Sequence, residues 1–140
     1  EINPKGKSIQ DIIEKIKKQG GIAIIAHPYH WRKPFKELEK YKNLLDGIEV
    51  FNSRSQTKRA NNKALEFAQK NNLAMTAGSD AHSHFEVGQA FIEAEAKNLE
   101  ELKEAILKKR IKIHGKQSSV FFQIFATLGK LMHFFWEPKN

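Results

Sequence analysis

The chain has 140 residues, no cysteine and a formal net charge of +8. That length suits one domain with a single moderate core. A composition of 40% hydrophobic and 29% charged residues is that of a soluble globular chain. Without cysteine there is no disulfide framework and no thiolate metal site. Any metal must be held by His, Asp or Glu, and a cytoplasmic setting is the simpler expectation. The surplus of positive charge favours anionic partners such as phosphate esters, nucleic acid or acidic lipid. The lysines, however, are spread along helical patterns and interleaved with Glu, as on solvated helix faces. No run approaches 18 apolar residues, so no transmembrane segment is expected, and no signal peptide opens the chain.

Residues 1–7 read as a loop. Ser8 is a good N-cap for a helix over roughly 9–19, with Ile9, Ile12, Ile13 and Ile16 on one face, and Gly20-Gly21 ends it. A nearly all-apolar strand, 22–26, follows, and this handover is the pattern of a parallel α/β unit. Residues 29–34 form a loop holding His30, Trp31, Arg32 and Lys33, readable either as an anion contact or as a lid with a packed Trp. A short helix over about 35–44 turns Leu38, Tyr41 and Leu45 inward. The Asp46-Gly47 turn then leads to a second strand, 48–51, ended by Asn52-Ser53-Arg54.

A polar helix over 55–71 directs Ala60, Ala64, Leu65, Phe67 and Ala68 inward, and the third strand is 73–77. A fourth short strand is expected within 88–94. Asn98 caps a helix over 99–110, with Glu101 close to a capping box, and 111–114 alternates like a short edge strand. From Ser118 to Trp136, Phe121, Ile124, Phe125, Leu128, Leu131, Met132 and Phe135 fall on one helical stripe. A helix docked on its own protein is the usual meaning; an interfacial membrane helix or a partner-groove helix are the alternatives. The chain thus divides into 1–117 and an amphipathic, aromatic-rich helix within 118–140.

Two strands end in ligand-type residues. His27 stands where the first strand stops, with Pro28 behind it, and Asp80 and His82 follow the third strand across Gly78-Ser79. In parallel α/β folds the C-terminal edge of the strands is where sites are built. A carboxylate and an imidazole two residues apart both reach a metal-filled cleft, though not necessarily the same ion. Taken alone, Gly-Ser-Asp is turn or cap chemistry and His27 a packing histidine; together they favour a shared site. Glu49 is unusual in a buried strand, and either faces a polar interior or hydrogen-bonds locally. His84 is a weaker ligand candidate, and His114 lies far from these motifs.

In order, Gly-Gly-Ile-Ala-Ile-Ile-Ala-His27-Pro, Gly-Ile-Glu49-Val-Phe-Asn52 and Ala-Gly-Ser-Asp80-Ala-His82 resemble the C-terminal half of the polymerase and histidinol phosphatase (PHP) family of metal-dependent phosphoesterases, over about residues 5–115. The resemblance implies an α/β fold: the C-terminal portion of a distorted (β/α)7 barrel with parallel strands, followed here by the C-terminal helix. It implies two or three divalent ions in the complete domain, with His27, Asp80 and His82 as metal ligands and Asp80 and His82 carrying catalysis through those ions. Nitrogen-rich ligands suit Mn, Zn or Fe better than Mg.

Metal-activated water would then hydrolyse a phosphomonoester or short phosphodiester, on a phosphorylated small molecule or a short oligonucleotide. Arg54 and Arg32 are the candidates for gripping phosphate, with Asn52 bordering the cleft. The sequence departs from the family in having no His-x-His before His27. It therefore reads as N-terminally truncated and inactive alone, with the missing N-terminal half of the barrel as its partner. The rival expectations are a degenerate PHP-like domain in regulation or assembly, and a basic membrane- or partner-binding module built on the C-terminal helix.

Overall fold

The computed structural model describes residues 5–55, 57–121 and 124. Helix α1 (Ile9–Lys18) begins in a full capping box: the Ser8 hydroxyl accepts from the Asp11 N–H, and the Asp11 carboxylate accepts from the Ser8 N–H. Ile13 is buried, and Ile9 and Ile16 pack beside it. Strand β1 (Ile24–Ile25) is shorter than its apolar run. Asp46 fixes its start, accepting from the Ala23 N–H at 2.8 Å while pairing with Lys17 at 3.2 Å.

Helix α2 is the short segment Leu38–Tyr41, and β2 runs Gly47–Asn52. Helix α3 spans Lys58–Lys70, β3 spans Ala74–Gly78, and a 3-10 turn covers His84–Glu86. The described elements close with β4 (Ala90–Glu93), α4 (Leu99–Leu107) and β5 (Lys112–Gly115).

Strands β1, β2 and β3 form one parallel sheet in that order, Ile25 opposite Ile48 and Asn52 opposite Gly78. All three therefore point their C-terminal ends at the same edge, as the alternation of helices and apolar strands requires. The core between sheet and helices holds Ile13, Leu38, Leu45, Ile48, Val50, Phe67, Ala68 and Leu73. Gly47 is needed where β2 crosses β3, because a Cβ there would lie 2.9 Å from the Ala74 carbonyl.

Two expectations change. Among the described residues the strands are not all parallel: β4 and β5 form a separate antiparallel pair beside the parallel sheet. Leu65 is 38% exposed, because the buried stripe of α3 runs through Ala64, Phe67 and Ala68 and Leu65 sits a third of a turn off it. The helix expected over 118–140 lies almost wholly outside the described residues.

Candidate functional site

The parallel edge gathers the exits of β1, β2 and β3. At the first exit, His27 has φ 30°; at the third, Asp80 has φ 49°. Among the described residues four non-glycine positions have positive φ, and the other two, Asn72 and Lys109, directly follow the ends of α3 and α4. Left-handed residues are the ordinary way to end a helix. His27 and Asp80 end no helix. Their backbones are held in a sparsely populated region where strained residues of active sites concentrate.

Glu49 joins these exits. Its Oε2 accepts from the His27 N–H at 2.7 Å and from Asn52 Nδ2 at 3.1 Å. Burial raises the pKa of its carboxyl above the usual range; the Asn52 and His27 hydrogen bonds and the His27 charge oppose the shift, and the Asp80 charge adds to it. Gly78 makes this possible, since a Cβ there would come within 2.6 Å of Glu49 Oε1. The left-handed turn out of the strand falls at Asp80. Gly78 is the last strand residue, and what it supplies is room.

At the third exit, His82 Nδ1 lies 2.8 Å from the Asp80 carbonyl and 3.7 Å from its Oδ1. A carbonyl only accepts, so Nδ1 carries a proton, and in the neutral ring the lone pair is then on Nε2. That arrangement, one ring nitrogen donating to a carbonyl, is how metal-binding histidines are commonly oriented. His30 has the opposite tautomer: its Nδ1 accepts from the Arg32 N–H at 3.2 Å. Burial first, then the neighbouring His27, pushes its pKa below the ordinary histidine range, against the pull of Asp80. The His27 and His30 rings meet edge to face at 5.6 Å, Trp31 stacks beyond them, and the Arg32 guanidinium sits 4.7 Å from the Trp31 ring centre.

The substrate-side candidates differ in exposure. Arg32 is exposed. Asn52 is buried; its side chain spans Glu49 and the Arg54 N–H, and its backbone is paired with the Asn61 amide. Arg54 is half-buried, and its Nη1 donates to both oxygens of Glu86 at 2.7 and 2.8 Å. Glu86 was not singled out in the sequence, where a glutamate between Phe85 and Val87 carries no pattern. His84 packs on Phe85, and His114 stacks on Phe91 of β4, away from this edge.

Whether these donors hold an ion by themselves is answered by their grouping. Among the described residues no three His, Asp or Glu side chains converge as a metal-holding set. The donor types fit a divalent ion, but the described residues do not complete a centre. No described helix is long and apolar enough to cross a membrane.

An α/β chain with ligand-type residues at the exits of parallel strands of one sheet defines a class, and comparison with known proteins narrows it. Residues 58–111 match the family model described as PHP-associated. The chain is similar to a C-terminal portion of the PHP-family fold. It is 35% identical over 104 residues to the uncharacterized protein MJ0417 of Methanocaldococcus jannaschii, covering 69% of this chain and 44% of that protein. It is 49% identical over 65 residues to the uncharacterized protein MJ1587 of the same organism, covering 44% of this chain and 36% of that one. The chain thus spans less than half the length of these relatives.

A crystal structure of a two-domain protein from Bacteroides vulgatus, described as containing a predicted PHP-like metal-dependent phosphoesterase, superposes with a TM-score of 0.61 at 22% identity, over 80% of this chain and 37% of that one. At that identity the likeness speaks for the fold.

Proposed function

We propose that the protein built on this chain is a metal-dependent phosphoesterase and that this chain supplies part of its site. His27, Asp80 and His82 are the metal ligands in this reading, and Asp80 and His82 the catalytic pair. Mn, Zn or Fe is the ion class that a mixed imidazole and carboxylate set suits. The observation that carries the reading is the pair of left-handed, non-glycine residues, His27 and Asp80, at the exits of the two outer strands β1 and β3, with Glu49 on the central β2 bonded to the His27 N–H. Neither residue ends a helix. The His82 tautomer supports it, since the free lone pair is on the ring nitrogen turned away from the Asp80 carbonyl.

On the substrate side, Arg32 is the first candidate for phosphate because it is exposed and its guanidinium is held over Trp31. Arg54 and Asn52 border the same edge from beneath. The substrate class is a phosphomonoester or short phosphodiester, in keeping with the chain's +8 charge. The test is hydrolysis of p-nitrophenyl phosphate and of its diester with Mn2+, with Zn2+ and with chelator. Turnover that needs the ion and falls at least a hundredfold in Arg32→Ala at subsaturating substrate supports the assignment. Metal-independent turnover would refute the metal reading, and no turnover with any ion favours the rival role in regulation or assembly.

A further inference from the structure

The most heavily bonded side chain among the described residues is Glu86, and nothing in the proposed chemistry uses it directly. Its carboxylate is fully buried. Oε1 accepts from Arg54 Nη1 and, at 2.9 Å, from the Ser118 hydroxyl. Oε2 accepts from Arg54 Nη1, from the His82 N–H at 3.0 Å and from the Ser83 hydroxyl at 3.1 Å. Three separate segments meet there: the exit of β2, the loop after β3, and the strap after β5. Backbone bonds reinforce the junction, with Ser53 N–H donating to the Gly78 carbonyl at 3.1 Å and Ser118 N–H to the Ser53 carbonyl at 2.8 Å. The Ser53 hydroxyl, itself buried, donates to the Lys116 carbonyl at 2.9 Å.

A buried ion pair is a poor source of stability, because desolvating two charges offsets most of their attraction. An apolar plug would serve a core better. What a carboxylate supplies and a plug does not is a set of directed bonds, one of which ends on the backbone of His82. We infer that Glu86 is a positioning residue: it holds the Asp80–His82 loop against the β2 exit and the 116–118 strap, and so fixes where the His82 ring stands. His82 is then gripped twice, by Glu86 at its N–H and by the Asp80 carbonyl at its ring. In this account Arg54 serves Glu86 rather than substrate. The purpose of the clamp rests on the phosphoesterase reading; the clamp itself does not.

The experiment compares the natural protein with Glu86→Gln and Glu86→Asp. Amide hydrogen exchange is measured residue by residue, and Mn2+ is titrated while the paramagnetic broadening of the Asp80 and His82 signals is followed. In Glu86→Gln, exchange at His82 and Ser83 should rise at least tenfold relative to amides of β2 and β3. The Mn2+ midpoint should weaken by about 10- to 100-fold, the usual effect of losing a group that orients a ligand. Glu86→Asp should recover part of both. If Glu86→Gln does not fold, Ser83→Ala, which leaves the ion pair intact, should still raise His82 exchange. Exchange that rises equally through β2 and β3, or a loosened loop with an unchanged Mn2+ midpoint, would overturn the proposal. Signals that ignore Mn2+ in the natural protein would sink the phosphoesterase reading instead, and the exchange comparison would still decide the clamp.

Discussion

Replacing Gly78 by Ala tests how the site edge is assembled. The φ of Gly78 lies outside the left-handed region, so alanine meets no backbone strain there. It meets Glu49: the new Cβ would sit 2.6 Å from Oε1 and 3.8 Å from Cδ. The carboxylate must swing aside, away from the His27 N–H at 2.7 Å and Asn52 Nδ2 at 3.1 Å. Bonds to a charged group are worth about 1.5–3 kcal/mol each, and a flexible side chain recovers part of that elsewhere, so the loss is about 2 kcal/mol. Restricting the unfolded chain offsets about 0.4–1 kcal/mol. The net cost is about 1–2 kcal/mol, a fall in Tm of roughly 5 °C by calorimetry.

The same change in a Glu49→Ala background should be neutral or mildly stabilising, giving a coupling of about 2 kcal/mol, within the range for residues in contact. If Gly78→Ala is equally destabilising with and without the Glu49 carboxylate, Gly78 is not there to make room for it, and that part of the account is wrong.

Other consequences follow from the same contacts. Asp80→Asn should leave stability within about 0.5 kcal/mol, since asparagine adopts the left-handed region readily, yet lower metal-dependent turnover at least a hundredfold; Asp80→Ala should lose as much activity and also about 1 kcal/mol of stability. For Glu86, burial raises the carboxyl pKa, but the His82 N–H, the Ser118 and Ser83 hydroxyls and Arg54 outweigh it and hold the group below the usual glutamate range. A lowered carboxyl contributes stability above its unfolded pKa and loses it as pH falls through the folded one. Glu86→Gln should therefore lose stability at neutral pH relative to the natural protein, and the two Tm curves should converge below the ordinary glutamate range. Removing residues 118–140 deletes the Ser118 bonds to Glu86 and to the Ser53 carbonyl, and should lower Tm by several degrees.

The parallel order of β1, β2 and β3 was legible because each apolar run follows a helical pattern and ends in a turn or cap residue. Ser8 and Asn98 were readable as caps for the same local reason: capping depends on residues three apart. The candidate ligands were legible from their position at strand ends. What was hidden depends on contacts between distant segments. The role of Gly78 is set by Glu49, 29 positions earlier, and that of Arg54 by Glu86, 32 positions later. The antiparallel pairing of β4 with β5 was hidden too, since short strands of four residues carry little pattern beyond alternation.

The central claim is that His27, Asp80 and His82 serve one divalent-metal phosphoesterase site. Its most direct test is Mn2+-dependent hydrolysis of p-nitrophenyl phosphate and its diester by the protein as the cell makes it, beside His27→Ala, Asp80→Asn and His82→Ala. The account predicts turnover that chelator abolishes and metal restores, with each variant at least a hundredfold slower and correctly folded. Full activity in any of the three, or hydrolysis that survives chelation, would contradict it.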